Sequence, residues 1–340
     1  MSVVPPSVRF KAGFWITLFL ALIIQLVAVV LIIRRAGFSV PFSYGSRELI
    51  CSFTMLMVLA VVTHLIVWLV RRRSLRDAVN RSFDGWWELP LVVVAYAILA
   101  ETYVWGKVFV PVIHPGLFDV HLARLDRTLF LGVNPNVAFL TIFEGNPQWV
   151  STALDVFYAD FITMMLCVTA WFMADRSARR KGFLTAVALL WSMGLWLYIA
   201  VPSVGPAFTD PAFGHELRSL FPRAAATQDT LIRQYQHVLL LANGEDLPLR
   251  PGYGVAAMPS LHVAAEALFF FWCLRMRSSW RTVFLALTVL TWIGSIATGW
   301  HWAVDGLVGV ILAFGAGWAG WRVTELFEPV PPGDPAAGPS

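Results

Sequence analysis

Cysteine, charge and internal repetition are all scarce in this chain. Only Cys51, Cys167 and Cys273 occur, each inside an apolar run. That excludes a disulfide framework and a zinc-type cysteine spacing, and leaves all three as small core residues. Charged residues make up 14 % of the 340 and hydrophobic ones 58 %, too apolar a balance for an ordinary soluble domain. The formal charge of +4 comes from 25 lysines and arginines that fall mainly in short loops. Such a distribution answers to membrane topology and lipid headgroups, not to nucleic acid. No internal repeat stands out, which counts against a transporter built from symmetric halves.

What the chain has in abundance is apolar runs of about 20 residues, the length that spans a bilayer. Eight spans are expected, near 14–33, 49–70, 89–110, 153–173, 183–201, 260–274, 282–299 and 302–321. The fold class is therefore all-α, a polytopic membrane helical bundle. Arg9 and Lys11 precede the first run as they would in a signal peptide. That run, Phe14 to Ile33, is too long for a signal h-region and no small-residue cleavage site follows, so it reads as a retained span. With the N-terminus in the cytoplasm, 15 basic residues lie inside, including Arg71, Arg72, Arg73 and Lys181, against 10 outside. The positive-inside rule favours this orientation, which makes both termini cytoplasmic.

Two outer segments are long. In the first, 111–150, FDVHLARLDRTLF spaces Phe118, Leu122, Leu125 and Leu129 as an amphipathic helix lying in the interface. Asn134-Pro135 and Gly145-Asn146-Pro147 then mark turns. The second, 202–257, has no obvious core and is expected to form a lid or substrate-binding wall. Residues 1–85 form a two-span accessory region, 86–322 the membrane catalytic domain, and the Pro/Gly-rich 323–340 a disordered tail.

The chemistry-bearing stretch runs from Met258 to Asp305. Two apolar segments joined by a basic turn would return the chain to one membrane face, bringing His262 and His301 together at the outer side. Asp305 follows His301 by one helical turn and shares its face. Ser260, in Pro259-Ser260-Leu261-His262, is a natural N-cap. A helix N-terminus offers free N–H groups that suit a phosphate. A histidine there can pass a proton to a leaving oxygen, and one oriented by a carboxylate can attack phosphorus. Taken alone, each histidine also suits a purely structural role; the pairing across one hairpin is what points to catalysis.

PSLH (259–262) and HWAVD (301–305) resemble the second and third signature motifs of the phosphatidic acid phosphatase type 2 superfamily, PSGH and SRxxxxxHxxxD. The Leu before His262 and the FDVHLARLDRTLFLG stretch are similar to the inositol phosphorylceramide synthase branch, an inositolphosphotransferase. The resemblance covers roughly 115–315 and implies a six-helix phosphatase-like core. It further implies that His301 is a nucleophile forming a phosphohistidine, Asp305 its orienting carboxylate, His262 the general acid and Ser260 a phosphate contact. No cofactor and no metal are implied. Two departures stand out. Ser295 occupies the place of the third motif's arginine, and the first motif, KxxxxxxRP, is missing: none of Lys11, Lys107 and Lys181 has the RP downstream.

A cation must still neutralise the phosphate. Arg250 is the first candidate because RPGYG leads into the catalytic helix, with Arg218, Arg223 and Arg233 behind it. Glu266, four residues after His262, is a candidate to orient that histidine; a bond to another helix suits it equally well. Glu101, Lys107, Asp155 and Asp160 lie in or near spans, where ionisable groups face a bundle interior or a cavity. Packing accounts for Asp155, Tyr158 and Asp160 as well as a headgroup pocket does. The expected protein is an integral membrane lipid phosphotransferase working at the outer face on a phospholipid or lipid phosphate, with a lipid alcohol as acceptor. The alternative is a lipid phosphate or isoprenoid pyrophosphate phosphatase in which water replaces that alcohol. Outside this class stand a transporter using Glu101, Asp155 and Asp160, and a metal site made by His262, His301 and Asp305.

Overall fold

A computed structural model describes residues 6–38, 44–70, 86–175, 177–210, 213, 215–245, 247 and 254–327. Among them there is helix and no strand. Helix α1 is Pro6–Arg35 and α2 Tyr44–Val70; a 3₁₀ turn, Trp86–Glu88, leads into α3, Leu89–Val108. Four shorter helices follow: α4 Val110–Ile113, α5 Asp119–Leu129, α6 Pro135–Glu144 and α7 Gln148–Ala159. Next come α8, Phe161–Met173, and α9, Ser177–Ala200. Three more helices are α10 Pro206–Thr209, α11 His215–Leu220 and α12 Pro222–Ala242. The last three are α13 Leu261–Arg275, α14 Arg281–Ala297 and α15 Ala303–Phe327.

By length and composition, Gly13–Arg35, α3, α9 and α15 are each long and apolar enough to cross a bilayer, and the α7–α8 pair, bent by 49°, makes a fifth candidate. Ile50–His64 and α14 are apolar but shorter, and α13 has 15 residues. The eight spans read from the sequence coincide in position with α1, α2, α3, α7–α8, α9, α13, α14 and α15; five of these pass the length test. Helix α15 continues to Phe327, beyond the boundary expected at 322, because Phe327 packs edge-on against Phe14 and lies beside the Lys181 ammonium group.

Small residues let the inner helices approach closely. A methyl group on Gly309 of α15 would sit 2.4 Å from the carbonyl oxygen of Ser260, and one on Gly320 would sit 2.3 Å from that of Gly182. This is how helices associate where lipid removes the usual apolar driving force. At the opposite end, Glu88 is buried between Lys181 and Arg180, whose Nη1 is 3.5 Å away. Charges this deep persist because they are paired. Helices α1 and α2 share this core: Trp15, Leu22, Phe53 and Met57 are buried with Val92, Ala95 and Tyr96.

The outer segments are more ordered than their sequence suggests. Residues 202–257 supply α10–α12, whose Leu217, Leu220, Phe221 and Ala224 bury with Leu140, Phe143 and Leu154 from α6 and α7. The core that seemed missing is shared between the two outer segments, so neither shows it alone. Helix α5 is amphipathic, but it turns carboxylates inward. Asp119 and Asp126 are buried while Val120, Leu125 and Leu129 are exposed. Leu122 alone of the four spaced apolar positions is buried.

Candidate active site

The site forms where the N-terminal ends of α13 and α15 meet. Ser260 caps α13, its hydroxyl accepting from the Val263 N–H at 3.4 Å, and its own N–H donates to the Asp305 carbonyl at 2.9 Å. The hydroxyl is thus committed to the helix end, where Ser260 is fully buried. Both helix starts are tied to each other through one backbone bond.

His301 is 4 % exposed. Its Nδ1 donates to the carbonyl oxygen of Ala257 at 2.8 Å. A carbonyl only accepts, so Nδ1 carries the proton and Nε2 keeps its lone pair. Asp305 Oδ2 stands 3.5 Å from the same nitrogen and accepts instead from the Trp302 N–H at 2.9 Å. The sequence pairs Asp305 with the ring; the fold puts a backbone carbonyl nearer. Burial pushes the His301 imidazole down to about 3, with the Ala257 bond pulling it up and Lys107 pushing it down further. The ring is neutral at pH 7, as a nucleophile requires.

His262 faces His301 across 5.7 Å between ring centroids, with the planes at 88°. Its Nδ1 is 2.6 Å from the hydroxyl oxygen of Tyr158 on α7, and Phe161 packs edge-on at 4.6 Å. Glu266 makes no bond to His262: it is fully buried, and neither of its oxygens has a hydrogen-bond partner among the described residues.

Side chains of α5 and α6 fix the loop before α15. Asp126 accepts from the Ala303 and Val304 N–H groups at 2.7 and 2.9 Å, capping the helix that carries Asp305. Burial raises the Asp126 carboxyl, and those two N–H groups act to lower it. Asp119 accepts from the N–H groups of Val204 and Gly205 and from Trp302 Nε1. Gly205 is at φ +96, and a side chain there would meet the Trp300 carbonyl at 2.4 Å. Asn136 donates to the carbonyls of Ile296 and His301 at 2.9 and 2.8 Å. Asp155 accepts from the first N–H groups of α12, those of Arg223 and Ala224. Sequence spacing gives no sign of these bonds, since each joins residues some 68 to 183 positions apart.

Both histidines open onto a cavity of about 310 Å³. Among the described residues the cation lining it is Lys107, near the C-terminal end of α3, with the ammonium group 5.5 Å from the Tyr198 ring centroid and 5.9 Å from that of Tyr103. Among the described residues no carboxylate pairs with it. Of the arginines favoured by the sequence, Arg218, Arg223 and Arg233 do not line this cavity. Arg218 is exposed and bidentate to Asp229, Arg223 and Arg233 are exposed, and Arg250 is outside the described residues. An ionisable residue at the end of an apolar span was the available signal for Lys107. The described residues contain no group of three or more His, Cys, Asp or Glu placed to hold a metal ion.

Fold and site together define an all-helical integral membrane enzyme. Residues 120–319, more than half of the chain, match the PAP2 superfamily, and the protein belongs to it. It is an enzyme of the phosphatidic acid phosphatase type 2 class, a phosphatase or phosphotransferase of lipid phosphates in a membrane setting. No curated protein and no solved structure matches the chain.

Proposed function

We propose that this protein moves a phospho-headgroup between lipids at the outer membrane face through a phosphohistidine on His301. One observation carries the reading: two perpendicular histidine rings 5.7 Å apart, one with a free Nε2, open on the cavity that holds Lys107. In the first step the Nε2 lone pair attacks phosphorus, the P–O bond to the leaving oxygen breaks, and His262 gives that oxygen a proton. In the second, His262 takes the proton from an acceptor hydroxyl as its oxygen attacks phosphorus and the P–N bond breaks. His262 enters the first step as the imidazolium: its Nδ1–H donates to the Tyr158 hydroxyl oxygen, and the Nε2 proton is the one transferred. Lys107 neutralises the phosphoryl oxygens in the role the sequence sought for Arg250. Ser260 acts by holding the end of α13, and Asp305 supports the His301 loop through Trp302.

Transfer is favoured over hydrolysis because PSLH and the α5 stretch are similar to the inositol phosphorylceramide synthase branch. The outer face follows from the basic-residue count. The test uses purified wild type and His301→Ala in lipid micelles with labelled phospholipid donors, candidate lipid alcohols and a chelator. New labelled lipid from wild type alone is the expected result. Free phosphate without new lipid would make it a phosphatase, and equal turnover by His301→Ala would sink the mechanism. Loss of activity with chelator, restored by added metal, would argue instead for a metal site.

A further inference from the structure

One face of α13 carries a carboxyl group that takes no part in the two steps above. His262, Glu266 and Phe269 are spaced i, i+4 and i+7, so they share a stripe. At one end of it the His262 ring meets Tyr158 and Phe161. At the other end Phe269 packs with Phe172 and Phe284, the three ring centroids lying 5.7 to 6.5 Å apart. Glu266 is fully buried between these ends. It stands roughly 6 Å from His262 along the axis, at about 1.5 Å per residue.

Helix α14 returns antiparallel with a stripe of its own, Phe284, Thr288, Thr291 and Ser295, all buried. The contact of Phe284 with Phe269 fixes the register. Seven residues on from that contact along each helix come Thr291 and His262, so the two are level. The Thr288 hydroxyl donates to the Phe284 carbonyl and that of Ser295 to Trp292. Thr291 Oγ1 makes no such bond. It and both Glu266 oxygens are buried without a hydrogen-bond partner among the described residues. Three such oxygens on facing stripes, closed at one end by three phenyl rings, supply the two to four polar partners that a buried water takes.

Resting on the phosphoryl-transfer reading of this site, we infer that Glu266 stores the proton that His262 transfers, passing it through Tyr158 and a water held by Thr291. A carboxyl group buried without an ion pair is far less costly neutral than charged, so Glu266 holds that proton at rest. The Glu266 O–H bond breaks toward the water, the water gives a proton to the Tyr158 oxygen, and the Tyr158 proton moves to His262 Nδ1, 2.6 Å away. His262 becomes the imidazolium that the first step requires. The Glu266 carboxylate left behind balances its charge; otherwise two cations, His262 and Lys107, would share one cavity. The proton taken from the acceptor in the second step returns by the same route. Glu266 does not line the cavity and acts through His262. In α8 and α14, which flank it, the only ionisable residues are Cys167 and Arg281, both exposed, so neither helix brings a competing acid or base.

Leaving-group dependence tests this with the full protein in lipid micelles. An alkyl phosphate needs its leaving oxygen protonated and a nitrophenyl phosphate does not, while both need His301. Glu266→Gln keeps the shape but has no proton to pass. It should cut the alkyl-to-nitrophenyl ratio of kcat/KM about 100-fold, the lower range of general acid catalysis. Thr291→Val should cut the same ratio about 2- to 10-fold, the worth of one hydrogen bond. A loss shared equally by both substrates, as a packing defect gives, or an unchanged ratio in either variant, overturns the route. Infrared difference spectra should show a protonated carboxyl band in wild type at neutral pH that Glu266→Gln lacks; finding no such band also overturns it. Full turnover of both substrates by His301→Ala would remove the phosphohistidine itself. Loss of both in that variant, with an unchanged ratio in Glu266→Gln, would leave the chemistry standing and remove only the proton store.

Discussion

The hydroxyl oxygen of Tyr158 lies 2.6 Å from Nδ1 of His262, 104 residues away in the chain. It joins the α7–α8 bend to the start of α13, so the group proposed as acid is held by a residue outside both signature motifs. Removing that hydrogen bond leaves the ring free to turn. Tyr158→Phe should lower kcat about 10- to 100-fold, the worth of one strong hydrogen bond, with KM nearly constant. An unchanged kcat would assign Tyr158 to packing.

Asp305 and Ala257 compete for the same ring nitrogen, at 3.5 and 2.8 Å. Side-chain substitution cannot remove the Ala257 carbonyl. Asp305→Asn should therefore retain measurably more turnover than His301→Ala, with its main loss in the Trp302 bond. Equal loss in the two variants would return the orienting role to Asp305.

Lys107 has aromatic neighbours and no carboxylate partner among the described residues. Lys107→Met should raise KM and lower kcat, about a 100-fold loss in kcat/KM, with Lys107→Arg recovering part of it. Because burying a lone cation costs stability, the Met variant should unfold at the same or a higher temperature. A lower Tm would mark Lys107 as structural.

His301 sits far below an ordinary histidine, at about 3. Between that value and about 6.5 the unfolded chain binds a proton that the folded chain refuses. Stability linked to this ring is then complete above pH 6.5 and declines as pH falls toward 3. Nitrogen-15 NMR of labelled histidine should show His301 neutral and protonated on Nδ1 at pH 5. Titration near 6.5 would contradict its burial.

Asp126 satisfies two N–H groups at the start of α15. Asp126→Ala leaves both buried without an acceptor, so it should cost about 1–3 kcal/mol in thermal unfolding. Asp126→Asn, which keeps one acceptor oxygen, should fall between that variant and wild type. No change in either would mean that water replaces the carboxylate.

The all-helical membrane class, the hairpin from Met258 to Asp305 and the superfamily were legible in the sequence, while the number of spans and the branch within the superfamily were not. Hydrophobic run length and short motifs are local properties, written in consecutive residues. His262 and His301 were legible because each sits beside a helix start and a single return crossing brings them to one side. Lys107 is visible in the sequence only as a costly residue at a span's end, and nothing local in the sequence shows that Asp229 holds Arg218, one of the candidates behind Arg250. Only the three-dimensional contacts show that Lys107 lines the cavity, that Ala257 is nearer to His301 than Asp305, and that Asp119, Asp126 and Asn136 hold the loop before α15. Those contacts join residues far apart in the chain, and a buried carboxylate bonded to backbone N–H groups asks nothing particular of the residue types it meets. The α5 face shows this best: its inward carboxylates invert the usual amphipathic pattern because the N–H groups of the 203–205 turn and of the α15 start need acceptors there.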